Sequence, residues 1–101
     1  MITHIVMWNL KDEALGASKE ENKLVFKQKL EELTQTVPGI EYLEVGLKGE
    51  KSPETNHDII LISKFQSWDD LKTYAEHPNH VKVVDFVKQI VESRAAIDYE
   101  S

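Results

Sequence analysis

A chain of 101 residues is long enough for one domain around one core and too short for two. Hydrophobic residues at 41% and charged residues at 30% give an ordinary globular balance, which excludes a disordered polymer. Eighteen acids against twelve bases leave a net charge of −6, and no stretch concentrates Lys or Arg. Neither nucleic acid nor an anionic membrane is therefore an expected partner.

From Ile2 to Leu10 apolar residues fall on both alternating sets: Ile2, Val6, Trp8 and Leu10 with His4, and Ile5 and Met7 with Thr3 and Asn9. That pattern reads as a central strand covered on both faces. Lys11 to Ala17 reads as a polar connection. Ser18 and Glu21 form a capping-box pattern, and Phe26, Leu30, Leu33 and Val37 make one apolar stripe of the helix that follows. Pro38-Gly39 ends it.

Ile40 to Leu47 reads as a second strand, with Leu43, Val45 and Leu47 on one face. Lys48 to Asn56, with Gly49 and Pro53 among charges, is an exposed loop. Ile59 to Phe65 is a third strand, apolar on both faces. Ser67 and Asp70 repeat the capping pattern and open a helix with Trp68, Leu71, Tyr74 and Ala75. Pro78 breaks that helix, which resumes at once with Val83, Val87, Ile90 and Val91 inward. Ala95 to Tyr99 closes the chain as a short fourth strand.

The order β-α-β-β-α-β, with the second helix broken, is that of an α+β, ferredoxin-like domain spanning residues 1–101: a four-stranded antiparallel sheet with its helices on one face. Two helices cover only one side of such a sheet. Ile5, Met7, Ile60 and Ile62 then need another cover, and a second copy of the chain supplies it. A patch of roughly 400 Å² per chain corresponds to a gross gain of about 10 kcal/mol, before association entropy opposes it. A homodimer through the sheet faces is the expectation.

His4, the cluster Tyr74-Ala75-Glu76-His77-Pro78-Asn79-His80 and the ending Ile97-Asp98-Tyr99-Glu100 resemble the stress-responsive dimeric α/β-barrel family. The resemblance implies a homodimer whose sheets curl into a barrel with helices outside. Some plant members assemble further, into rings. One member is a polyketide cyclase, in which a Tyr and a His of this motif flank the substrate near a first-strand His. The matching positions here are Tyr74, His80 and His4. The resemblance thus implies His80 as a base for aldol-type ring closure and Tyr74 as the group that orients a carbonyl or the base. Imidazole titrates near working pH and phenol donates hydrogen bonds, so the chemistry suits the residue types.

Each of these residues also has a plain structural role open to it. His4 suits a hydrogen-bonded core histidine, Tyr74 a packing residue, His77 a helix cap and His80 a surface or capping residue. Val6, Trp8, Leu71 and His77 are expected to complete the lining of a small apolar pocket, with Val83 and Val84 following the second motif histidine. Three readings stand: a homodimeric barrel with a pocket for a small apolar molecule, a polyketide-cyclase-like enzyme, and a non-catalytic structural oligomer.

Cysteine is absent, which removes disulfides, thiolate metal ligands and a thiol nucleophile. His77 and His80, three residues apart, could share a metal with His57 as a conceivable third ligand, but nothing supplies a closed tetrahedral set, and no phosphate-cradling glycine loop is present. No metal or other cofactor is expected. The longest apolar run, Ile59 to Ile62, is too short to span a bilayer, and Met1-Ile2-Thr3-His4 does not read as a signal peptide. The expected location is cytoplasmic.

Overall fold

The computed structural model describes residues 1–101. Four strands, β1 (Ile2–Leu10), β4 (Tyr42–Leu47), β5 (Ile59–Phe65) and β6 (Val91–Glu100), form one antiparallel sheet in the order β4-β5-β1-β6. Three helices, α1 (Lys19–Thr36), α2 (Trp68–Glu76) and α3 (Pro78–Ile90), accompany it. A small hairpin of β2 (Glu13–Ala14) and β3 (Ala17–Ser18) leads into α1. This is the expected α+β, ferredoxin-like arrangement. No helix is long and apolar enough to cross a membrane.

The core lies between the helices and one sheet face. Val6, Trp8 and Leu10 of β1 and Ile59, Leu61 and Phe65 of β5 meet Phe26, Leu30 and Leu33 of α1 there. Val83, Val87 and Ile90 of α3 complete the contact. The strands alternate because successive side chains point to opposite faces; the helices repeat every three or four residues because a turn takes 3.6. The capping box at α1 is formed on both sides: the Glu21 amide donates to Ser18 Oγ at 3.2 Å and the Ser18 amide to Glu21 Oε1 at 3.4 Å. The helix stops at Val37, where Pro38 follows and Gly39 takes φ +88°, a conformation that favours glycine.

Two stretches depart from the sequence reading. The Lys11 to Ala17 connection folds into the β2–β3 hairpin, turned by Leu15 at φ +55° and Gly16 at φ +73°. Positive φ at both central residues matches the twist of a two-residue hairpin. Strands of two residues are too short to show an alternation. The last strand is ten residues long, twice the expected length, and starts directly where α3 ends. Glu92, Ser93 and Arg94 offer no apolar signal, but β1 is a full-length template: Asn9 pairs with Ser93 and Trp8 with Arg94. Backbone pairing extends the strand where side chains do not advertise it.

Asp58, just before β5, ties the edges of this frame together. It is 3% exposed, its Oδ2 accepts from the Leu10 amide at 2.8 Å, and its own amide donates to the Trp8 carbonyl at 3.0 Å. Lys19 Nζ stands 3.4 Å from Oδ2 and Lys48 Nζ 3.5 Å from Oδ1. Burial alone would raise the pKa of this carboxyl. The Leu10 amide and the Lys19 and Lys48 charges outweigh that and hold it below the usual carboxylate range.

The opposite sheet face has no helix over it. Register places Ile5 beside Ile62 and Ile97, and Met7 beside Ile60 and Ala95, so the apolar side chains form one contiguous patch. Tyr42 and Ile97 at its margins are 46% and 59% exposed in the lone chain.

Candidate functional site

His77 is the hinge from which the site is built. Its backbone is extended, at φ −63° and ψ 135°, ending α2 and opening α3 with Pro78 in the first turn. The Asn79 amide donates to His77 Nδ1 at 3.1 Å, satisfying one of the orphan donors of the new helix. In an unbroken helix Tyr74 and His80 would be separated by about 600° of rotation and face apart. Across the hinge their rings lie 4.3 Å apart at 43°. His4, rising from β1, meets the Tyr74 ring edge-on at 6.2 Å, and Phe65 backs that ring at 5.0 Å.

The proton positions follow from the partners. His80 Nδ1 lies 3.0 Å from the Ala75 carbonyl, which only accepts, so the neutral ring carries its proton on Nδ1 and its lone pair on Nε2. Burial lowers the pKa of His80; the charges of His4, Arg94 and His77 act in the same direction, and the Ala75 carbonyl opposes them. His80 is thus neutral at pH 7. His4 Nδ1 bonds the Asp98 carboxylate, its register partner on β6, which fixes the orientation of the His4 ring.

Tyr74 is 1% exposed, and its hydroxyl is buried without any hydrogen-bond partner. Burial pushes the phenol well above its ordinary value, so it remains a protonated donor. A buried hydroxyl left unpaired costs about 1–3 kcal/mol, so its position calls for an explanation.

A cavity of about 330 Å³ opens beside this cluster, between the sheet and the helices. Twelve of its sixteen lining residues are hydrophobic, and the other four are His4, His80, Lys88 and Arg94. Val6, Trp8 and Leu71 line it, and Trp8 stacks edge-on against Phe26 at 4.8 Å. His77 does not line it. Its ring is turned to the Asn79 amide, so the pocket assignment made for it from sequence gives way to the cap.

Residues 2–101 match the family described as the Stress responsive A/B Barrel Domain. The chain belongs to this family. Among related A/B barrels, it is 29% identical over 101 residues to the stress-response A/B barrel domain-containing protein DABB1 of Arabidopsis thaliana. That match covers 98% of this chain and 46% of the relative, so the chain spans about half the length of that protein. A dimeric protein of unknown function and ferredoxin-like fold from Bacteroides fragilis superposes with a TM-score of 0.81 at 38% identity, covering 99% of this chain and 95% of that one. A hydroxynitrile lyase from Passiflora edulis gives 0.81 at 16% identity over 97% and 90% of the two chains, a likeness of fold alone.

Sequence reasoning about this A/B barrel missed Asp98, Lys88, Arg94 and Phe26 as members of the site. Asp98 and Arg94 sit opposite His4 and Trp8 only because of the β1–β6 register, which joins positions more than eighty residues apart. Phe26 carried a visible signal, its place on the α1 stripe, but the same signal marks any core residue.

Proposed function

We propose that this A/B barrel is a homodimer whose cavity binds a small, largely apolar molecule carrying one hydrogen-bond acceptor, met by the Tyr74 hydroxyl. The observation that carries the reading is the unpaired, buried Tyr74 hydroxyl in a side chain that lines an apolar cavity. A pocket with apolar walls and few polar groups is the usual form of a small-molecule site. A purely structural oligomer gains nothing from such a void. The uncovered patch of Ile5, Met7, Ile60 and Ile62, together with a relative described as dimeric, supports the homodimer.

Butyrophenone, an aromatic ketone with a short alkyl tail, is a suitable probe. Binding is read from the emission of Trp8, which lines the cavity, with Trp68 outside it as a constant background. Tyr74→Phe should weaken butyrophenone about three- to tenfold, the worth of one hydrogen bond. The same variant should melt at or above the temperature of the native protein, because it removes an unpaired buried group. Equal affinity in both proteins, or no response of Trp8 at millimolar ketone, would sink the reading.

A second reading rests on His80. Its Nε2 holds a lone pair and its ring lies 4.3 Å from that of the Tyr74 phenol, so one cluster contains both a base to take a proton and a donor to polarise a carbonyl. The fold is shared with a hydroxynitrile lyase, so it accommodates an enzyme. In heavy water the native protein should speed deuterium uptake at the α-carbon of butyrophenone, followed by NMR, and His80→Ala should abolish the acceleration while leaving the dimer intact. Undiminished exchange in His80→Ala would remove His80 as the base.

A further inference from the structure

The four polar residues of the cavity wall divide by charge. His4 and His80 belong to the ring cluster around Tyr74, whereas Lys88 and Arg94 are exposed cations. Neither Lys88 nor Arg94 forms an ion pair within the chain, although acids outnumber bases eighteen to twelve. Lys88 stands in the last turn of α3 and Arg94 near the start of β6, and no loop separates the two elements. The junction therefore holds the two cations in a defined relation to each other. Arg94 pairs across the sheet with Trp8, itself in the cavity wall, and lies near enough to His80 for its charge to act there.

Each cation has a local justification, since positive charge suits a helix C-terminus and charged residues protect a sheet edge. Neither accounts for both charges lining one apolar cavity with no ion pair to either. The geometry points to a carboxylate site at the mouth: the cavity takes an apolar oxo acid, its hydrocarbon part inside and its carboxylate between Lys88 and Arg94. Such a ligand would place its anion in solvent reach, where desolvation costs little, and its carbonyl deeper, toward Tyr74. Arg is well suited to the role, because its planar fork matches a carboxylate in two parallel hydrogen bonds. This inference rests on the pocket reading above and names the substrate class for it.

The test compares butyrophenone with 3-benzoylpropionate, which has the same phenyl ketone skeleton ending in a carboxylate. Calorimetry of the native protein at low salt should show the acid binding about tenfold more tightly than the ketone, the worth of one or two partly exposed charge-assisted contacts. The advantage should shrink in 0.5 M salt, as screening requires. In the double variant Lys88→Gln, Arg94→Gln the ratio of the two affinities should fall to about one. Equal affinities in the native protein, or an undiminished ratio in the double variant, would overturn the carboxylate site while leaving the pocket reading standing. Failure of both compounds to bind would overturn the two together.

Discussion

Met7→Asp is expected to turn a species of about twice the 11.6 kDa chain mass into one of 11.6 kDa, as read by sedimentation at micromolar concentration. Met7 lies near the middle of the uncovered sheet face, beside Ile60 and Ala95 and next along the strand face from Ile5. In a lone chain it is partly exposed, so the aspartate stays hydrated and the monomer keeps its fold. In a face-to-face dimer the same carboxylate would be taken out of water among apolar side chains such as Ile5, Ile60 and Ile62. Such a group costs several kcal/mol, and twofold symmetry makes the cost fall twice. At about 3 kcal/mol per copy the dimer weakens by about four powers of ten. Circular dichroism of the variant should still show the mixed α+β spectrum. A native protein that sediments as a monomer, or a Met7→Asp variant that still sediments as a dimer, would remove the sheet face as the interface.

Asp58→Ala should cost about 3 kcal/mol of stability, a fall in melting temperature of about 12–24 °C for a domain of this size. The alanine leaves the buried Leu10 amide without its acceptor and takes away the shared partner of Lys19 and Lys48. The effect should depend on pH with a defined sign. The folded-state pKa of Asp58 is depressed, so the folded chain binds this proton less readily than the unfolded chain, whose carboxyl titrates near about 3.9. Its contribution is therefore complete above about pH 5 and is lost as pH falls below about 4 through the folded value. Urea midpoints of native and variant protein should accordingly lie far apart at pH 6 and draw together toward pH 3. A gap of the same size at both pH values would show that the lost stability came from packing and not from the carboxylate.

The elements were largely legible in the sequence because each carries a local signal. Two full alternations define β1 and β5, and one stripe with a capping box defines α1. The break at Pro78 was legible too, since a proline removes a helix donor wherever it falls. What failed to show were pieces too polar or too short to carry a pattern of their own. The first half of β6 is a strand because β1 lies alongside, and the β2–β3 hairpin is set by two residues at positive φ.

The site divides along the same line. The residues Tyr74, His80, His4, Val6, Trp8 and Leu71 could be picked out from motif and pattern, because they sit on recognisable elements or in one short cluster. The sequence by itself determined the fold, the broken helix and the apolar excess on a face that no helix covers. Only the tertiary structure decided that Tyr74 and His80 converge, that His77 caps α3 instead of lining the cavity, and that the Tyr74 hydroxyl has no partner. It alone brought Lys88 and Arg94 to one opening and Asp98 to His4. The physical reason is that helix and strand periodicity are set by neighbours a few residues apart, whereas a cavity and its charges depend on sheet register and on the angle at a hinge. Those quantities are fixed by packing across the whole chain.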